Sequence, residues 1–174
     1  APEPTEAVAD VLSVFGTTYG NLVGANFNPG WGQATTAVVG DEIALTGLDY
    51  QGITFGAQDV SAYGYIHLDY FVEGSTSLRV FLINSGDPAV EDAHVLDVSA
   101  SGWVSVEIPL TEFAPVDMTI VDQMKFDGNG NVRIDNIYFG GTAPADNSGD
   151  NTTPVAAPEP TEAVADVLSV FGTT

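Results

Sequence analysis

The sequence predicts an all-β fold, an antiparallel β-sandwich or jelly roll of about ten strands. Three observations predict it. Apolar residues recur with period two through most of the chain, in runs rich in Val, Ile, Phe, Tyr and Thr. Gly, Asn, Asp and Pro punctuate those runs at short intervals. Helix-period patterning is scarce: only residues 6–15 would pass for a helix, and their β-branched content favours a strand.

Taken in order, strands are expected at 7–15, 33–39, 42–48, 50–55, 63–72, 78–83, 93–98, 103–109, 121–127 and 131–139. Alternation assigns faces to several of them. In 63–72, Ile66, Leu68, Tyr70 and Val72 share one face, and Tyr65, His67, Asp69 and Phe71 the other. In 78–83, Leu78, Val80 and Leu82 face the core, which sends Arg79 outward with Phe81. In 121–127, Met124 and Phe126 face inward, and Gln123 and Lys125 outward. Trp103 opens the alternating run Gly102-Trp103-Val104-Ser105-Val106 and is expected in the core. Gly128-Asn129-Gly130 reads as a tight hairpin between the last two strands. The same stretch begins with the oxygen spacing of an EF-hand loop, but Val132 stands where that loop needs glycine and Tyr138 where it needs its closing Glu.

The chain ends by repeating its own beginning: residues 157–174 are identical to residues 1–18, APEPTEAVADVLSVFGTT. Folding does not demand identity at every surface position, so a perfect copy points to recent duplication in a tandem array. The expected organisation is a β-sandwich repeat at 1–139, a Pro/Gly/Thr/Asn-rich linker at 140–156, and the start of the next identical repeat at 157–174. Val164, Val167, Leu168, Val170 and Phe171 form an apolar strand-like run with no partner after it. Left bare it is an aggregation hazard, so these residues are expected to dock on a neighbouring copy of the repeat.

With 3 Lys+Arg against 24 Asp+Glu, the formal net charge is −21. Such a surface repels phosphate backbones and anionic lipid, which argues against a nucleic-acid partner. No apolar run approaches the length of a membrane span. Cysteine is absent, excluding disulfides and thiolate metal sites. No leader is visible, so export predicts that the chain is a mature form. Enzyme signatures fail in turn: there is no GxSxG, HExxH or phosphate loop, and His67 and His94 lack metal-ligand spacing. The chain is expected not to be an enzyme.

The candidate binding residues are scarce types on outward faces. Trp31 lies in the turn-rich stretch Asn28-Pro29-Gly30-Trp31-Gly32, where a flat aromatic face is available to stack on the C–H face of a pyranose ring. His67, Asp69, Arg79, Gln123 and Lys125 are expected on one outer sheet face able to hydrogen-bond sugar hydroxyls. The alternative for Asp69 and Arg79 is an ordinary cross-strand ion pair.

Two further stretches carry a family resemblance. Residues Val132-Arg133-Ile134-Asp135-Asn136-Ile137-Tyr138-Phe139 resemble the closing strand of galactose-binding-like jelly-roll carbohydrate-binding modules. Residues 102–113, GWVSVEIPLTEF, are similar to the "GW-x-S-hydrophobic-x-IPL-x-x-F" segment of the same modules. The likeness is nearest to the family 4/9-like modules found in tandem in secreted bacterial polysaccharide-degrading proteins. It implies a non-catalytic, extracellular or cell-surface module that binds a neutral polysaccharide of glucan type. It also implies one structural Ca²⁺, with an oxygen from Asp135. The second acidic ligand that usually follows the first-strand Phe is missing here, leaving the Thr17 hydroxyl and carbonyls to substitute. A second reading is a structural repeat of a filament or adhesin stalk, favoured by the perfect repetition and by acidity suited to calcium stiffening.

Overall fold

A computed structural model describes residues 1–142. Ten strands follow in chain order: β1 (Leu12–Phe15), β2 (Thr36–Val39), β3 (Ile43–Thr46), β4 (Tyr50–Gln58), β5 (Tyr63–Glu73), β6 (Leu78–Asn84), β7 (Val90–Val95), β8 (Trp103–Pro109), β9 (Val121–Gly128) and β10 (Asn131–Thr142). The described residues are thus the all-β sandwich that the period-two pattern predicts. The expected first strand is shorter than 7–15: a 3₁₀ turn occupies Val8–Asp10 before β1 begins. The closing strand continues past Phe139 to Thr142. The docking residues Val164, Val167, Leu168, Val170 and Phe171, and most of the proposed linker, lie outside the described residues.

The strands divide into two antiparallel sheets. One has the order β2-β3-β10-β5-β8, with β1 also paired to β10; the other has the order β4-β9-β6-β7. β10 is the spine of the first sheet. Its first half pairs with β3 through Val132↔Leu45 and Ile134↔Ile43, and its second half with β1 through Leu12↔Phe139 and Phe15↔Ile137. The changeover falls at Asn136, whose φ of 48° accompanies a register break against β5 between Asp135 and Tyr138. Asparagine tolerates that left-handed conformation better than most residues.

Inward residues from both sheets form one core. Leu68, Tyr70, Ile134 and Phe139 come from the first sheet and Ile53, Val80, Leu82, Met124 and Phe126 from the second. The predicted faces of β5, β6 and β9 are therefore correct, with Val72 at the end of β5 half-buried against the core. Trp103 is a correction. Val104, Val106 and Ile108 turn inward along β8, so the alternation carries Trp103 to the outer face. It lies there half-buried, 6.0 Å from Phe71, with the Arg133 guanidinium 5.3 Å from its ring.

Gly128-Asn129-Gly130 is a second correction. It does not close a hairpin, because β9 and β10 belong to different sheets. It is a corner between layers, clasped by the loop before β6. The Thr76 N–H donates to Asn129 Oδ1 at 2.7 Å, and Asn129 Nδ2 donates to the Thr76 hydroxyl at 2.8 Å. A Cβ at Gly128 would fall 2.2 Å from the Ser77 carbonyl oxygen, so only glycine lets the backbones approach this closely.

Candidate functional site

The outer face of the four-stranded sheet can be built from its register. Tyr50, Asp127, Arg79 and Val95 form one cross-strand row, Gly52, Lys125, Phe81 and Ala93 the next, and Thr54, Gln123, Ile83 and Glu91 the third. Phe81 points outward yet is only 6 % exposed, because Lys125 Nζ lies 4.0 Å and Arg79 Cζ 5.0 Å from its ring centroid. The alkyl stems and charges of the two cations thereby cover an aromatic floor. Each cation has its own carboxylate. Lys125 Nζ is 2.8 Å from both Glu91 oxygens, and Arg79 Nε donates to Asp127 Oδ1 at 2.8 Å in a two-pronged contact.

Trp31 roofs one side of this face. Its ring lies on Gly52, where a Cβ would come within 2.3 Å of Trp31 Cζ3. The bare backbone of Gly52 is what allows the indole to lie against the sheet. The loop holding Trp31 is fixed by several hydrogen bonds. The Trp31 N–H donates to Gln33 Oε1 at 2.9 Å, and the Tyr50 hydroxyl donates to the Trp31 carbonyl at 2.9 Å. Downstream, Asp49 accepts from the Thr35 hydroxyl at 2.5 Å, and from the N–H groups of Ala34 (2.9 Å) and Thr35 (3.0 Å). Together these bonds, led by that from Thr35, hold the Asp49 carboxyl well below the ordinary carboxylate range. The ionised form is the one held, so the anchoring is complete above the ordinary value near 3.8 and weakens only as the pH falls towards the depressed folded value. The melting temperature is accordingly expected to be lowered by Asp49→Ala at pH 4.5 as much as at pH 7. Equal melting of Asp49→Ala and the parent chain at both would count against this anchoring.

A groove of about 430 Å³ results, lined by Trp31, Tyr50, Glu91, Gln123, Lys125 and Asp127 among others. It combines a flat aromatic wall, an amide and paired charges. That combination suits a neutral polyhydroxylated ligand, whose C–H faces stack and whose hydroxyls both donate and accept.

Four of the six predicted binding residues, Trp31, Arg79, Gln123 and Lys125, therefore lie on or beside one face. His67 and Asp69 do not. β5 belongs to the other sheet, and the two residues lie beneath the N-terminal segment, with Pro2, Glu3, Pro4, Thr5 and Glu6 lining the cleft above them. The His67 ring stacks on Tyr138 at 4.5 Å, and its Nε2 is 3.3 Å from Asp69 Oδ1. Asp69 Oδ2 accepts from Asn136 Nδ2 at 2.7 Å. Burial pushes the Asp69 carboxyl up, but the polar side chains of His67, Asn136 and Ser105 around it bring it below the ordinary range. The alternative of an Asp69–Arg79 pair also fails, since Arg79 pairs with Asp127. Alternation told inside from outside but not which sheet. The groove residues Glu91, Asp127 and Tyr50 went unsingled in the sequence because acidic residues and tyrosines are too common here to stand out.

The resemblance implied calcium at Asp135 and Thr17. Asp135 is half-buried and accepts its own neighbour's N–H from Asn136 at 2.8 Å; burial raises its carboxyl above the ordinary range. Thr17 is exposed. Among the described residues no three Asp, Glu, His or Cys side chains converge to hold a metal. The donor set at Asp135 thus does not make a carboxylate cage.

No protein-family profile matches the sequence, and no curated protein matches it. Solved structures do match in shape. A mutant of a family 29 carbohydrate-binding module superposes with a TM-score of 0.55 at 16% identity, covering 76% of this chain and 92% of that one. Two further mutants of a family 29 module, one complexed with cellulohexaose and one with mannohexaose, each superpose with a TM-score of 0.54. Their identities are 17% and 18% respectively, and each match covers 76% of this chain and 92% of the other. The fold is a jelly-roll β-sandwich like that of these modules. The similar structures are of family 29, whereas the sequence motifs resembled family 4/9; at such identities the likeness speaks for the shared jelly roll and for nothing finer. Among the described residues no helix is long and apolar enough to cross a membrane.

Proposed function

We propose that the chain is a non-catalytic carbohydrate-binding module whose four-stranded sheet binds a neutral polysaccharide of glucan type. The observation that carries this reading is the Trp31 indole lying on Gly52 and bordering a groove whose other walls offer Gln123, Lys125, Glu91 and Asp127. The jelly-roll fold supports it, as do the cellulohexaose and mannohexaose complexed with two of the similar structures. An extracellular or cell-surface setting fits such a ligand and a charge of −21. The direct experiment is affinity electrophoresis of the chain through gels containing a soluble β-glucan, a mannan or no sugar. Retardation by the glucan supports the reading, and identical mobility in all three gels removes it.

Gly52→Val gives an independent test, since it leaves every other groove side chain in place but evicts the Trp31 indole from its seat. It is expected to weaken glucan retention about tenfold, on the order of 1.4 kcal/mol, with a smaller effect on thermal stability. Calcium at Asp135 and Thr17 is a separate and weaker proposal, resting on one carboxylate and on hydroxyl and carbonyl oxygens. Such a site is of the millimolar class. A rise in Tm on adding calcium, reversed by a chelator, is its signature; an unchanged Tm retires it.

A second reading keeps the module as a brick of a cell-surface filament or adhesin stalk, with the duplicated segment at Val164, Val167, Leu168, Val170 and Phe171 docking one repeat onto the next. The identity of residues 1–18 and 157–174 favours it. In a tandem array, weak sugar sites also gain from tethering, so the two readings are compatible. A regular axial period in electron micrographs of the native material is the result it expects.

A further inference from the structure

Residues 1–18 fill a groove along the second half of β10. β1 joins the sheet edge through Leu12↔Phe139, Ser13↔Tyr138 and Phe15↔Ile137. Val14 and Phe15 are 0% and 1% exposed, and Phe15 packs edge-on against Phe27 at 5.0 Å. Ahead of the strand, the Pro2 carbonyl accepts from Asn136 Nδ2 at 2.9 Å and the Glu6 carbonyl from the Tyr19 hydroxyl at 2.7 Å. Phe27, Asn136, Tyr19 and the pairing residues of β10 all lie outside the segment they receive. The groove is therefore built by residues 19–142, and residues 1–18 are its occupant.

The chain carries that occupant twice. Residues 157–174 match residues 1–18 at every position, so each contact above has its counterpart, Phe171 for Phe15 and Pro158 for Pro2. We propose that the groove is filled interchangeably: when residues 1–18 are displaced, residues 157–174 of the same molecule take their place. The result is a circular permutation of the domain made without cutting the chain.

Reach permits it. Pro2 is bonded to Asn136, and Asn136 precedes the end of β10 at Thr142 by roughly 20 Å of strand. Residues 143–156 span up to roughly 45 Å when extended, which leaves slack. A tether of this length holds the second copy at an effective concentration near the millimolar range, so it outcompetes the same segment from another molecule in dilute solution. Between the two copies the first is favoured in the intact chain. Its connection is short, with the Leu22 N–H already bonded to the Val14 carbonyl at 3.0 Å, whereas the second must close a longer loop. The contacts themselves do not distinguish them. The device keeps the β10 edge covered, where a bare edge would recruit other strands.

The test uses the full chain with Phe15→Asp, Phe171→Asp and both together, followed by thermal unfolding and light scattering. A carboxylate at a fully buried phenylalanine position ejects whichever copy bears it. Phe171→Asp is expected to leave Tm unchanged, Phe15→Asp to lower it by no more than about 5 °C, and the double variant to lower it by roughly 15 °C or more. The Phe15→Asp chain stays monomeric, with a Tm independent of protein concentration. The proposal is overturned if Phe15→Asp alone falls as far as the double variant, or if the double variant melts with the single. It is equally overturned if Phe15→Asp is rescued only on self-association, since another molecule then supplies the strand. None of these outcomes touches sugar binding, which is read separately on glucan gels.

Discussion

Trp31→Ala is expected to abolish retention of the chain on a β-glucan gel while leaving its melting temperature nearly unchanged. The indole is half-buried, rests on the backbone of Gly52, and contributes its remaining surface to the groove. A stacking aromatic at the centre of a binding face typically accounts for about 2 kcal/mol, roughly thirtyfold in affinity. For a weak single site that loss moves binding beyond detection. The loop itself keeps its form, because Asp49, Thr35 and Gln33 hold it through backbone groups that the substitution does not remove. A Trp31→Ala variant retained as strongly as the parent chain would place the sugar elsewhere. A variant that loses retention only because it has unfolded is recognised by its Tm.

The largest expected loss of stability from a single surface-accessible position is at Gly128. Valine there drives its Cβ to 2.2 Å from the Ser77 carbonyl oxygen, and the obstacle is backbone rather than a side chain that can swing away. The corner must open, taking with it the Asn129–Thr76 clasp that ties the last two strands to the loop before β6. A cost of about 3 kcal/mol, or roughly 10 °C in Tm, is expected for Gly128→Val. Glucan retention measured below the lowered Tm should survive, because no groove residue has moved from its strand. A melt within 2 °C or so of the parent would mean that the corner relaxes at little cost.

These two positions show different degrees of legibility. Trp31 stood out in the sequence because a large flat aromatic among turn residues has no core to enter, and the structure puts it beside the groove. Gly128 was legible as a turn but not as a corner: the same three residues serve a hairpin and a change of sheet equally well. His67 and Asp69 show the same limit more sharply. Their outward orientation along β5 was correct, yet the surface they face is covered by residues 2–6 rather than open to a ligand. Trp103 failed for another reason: its apolar bulk suggested burial, while the inward phase of Val104, Val106 and Ile108 carried it to the other side.

The sequence by itself determined the all-β class, the faces of β5, β6 and β9, the net charge of −21, and the exact repetition of residues 1–18. These follow from local alternation, from charge and from identity, all of which are properties of neighbours along the chain. Only the tertiary structure decided which strands share a sheet, and so which outward residues meet. It joined Arg79 to Asp127 and Lys125 to Glu91 across strands far apart in sequence, and it separated both pairs from Asp69. Strand alternation fixes a side without naming a partner; the partner is chosen by the packing of the whole sandwich, where burying every apolar face at once leaves one arrangement of sheets.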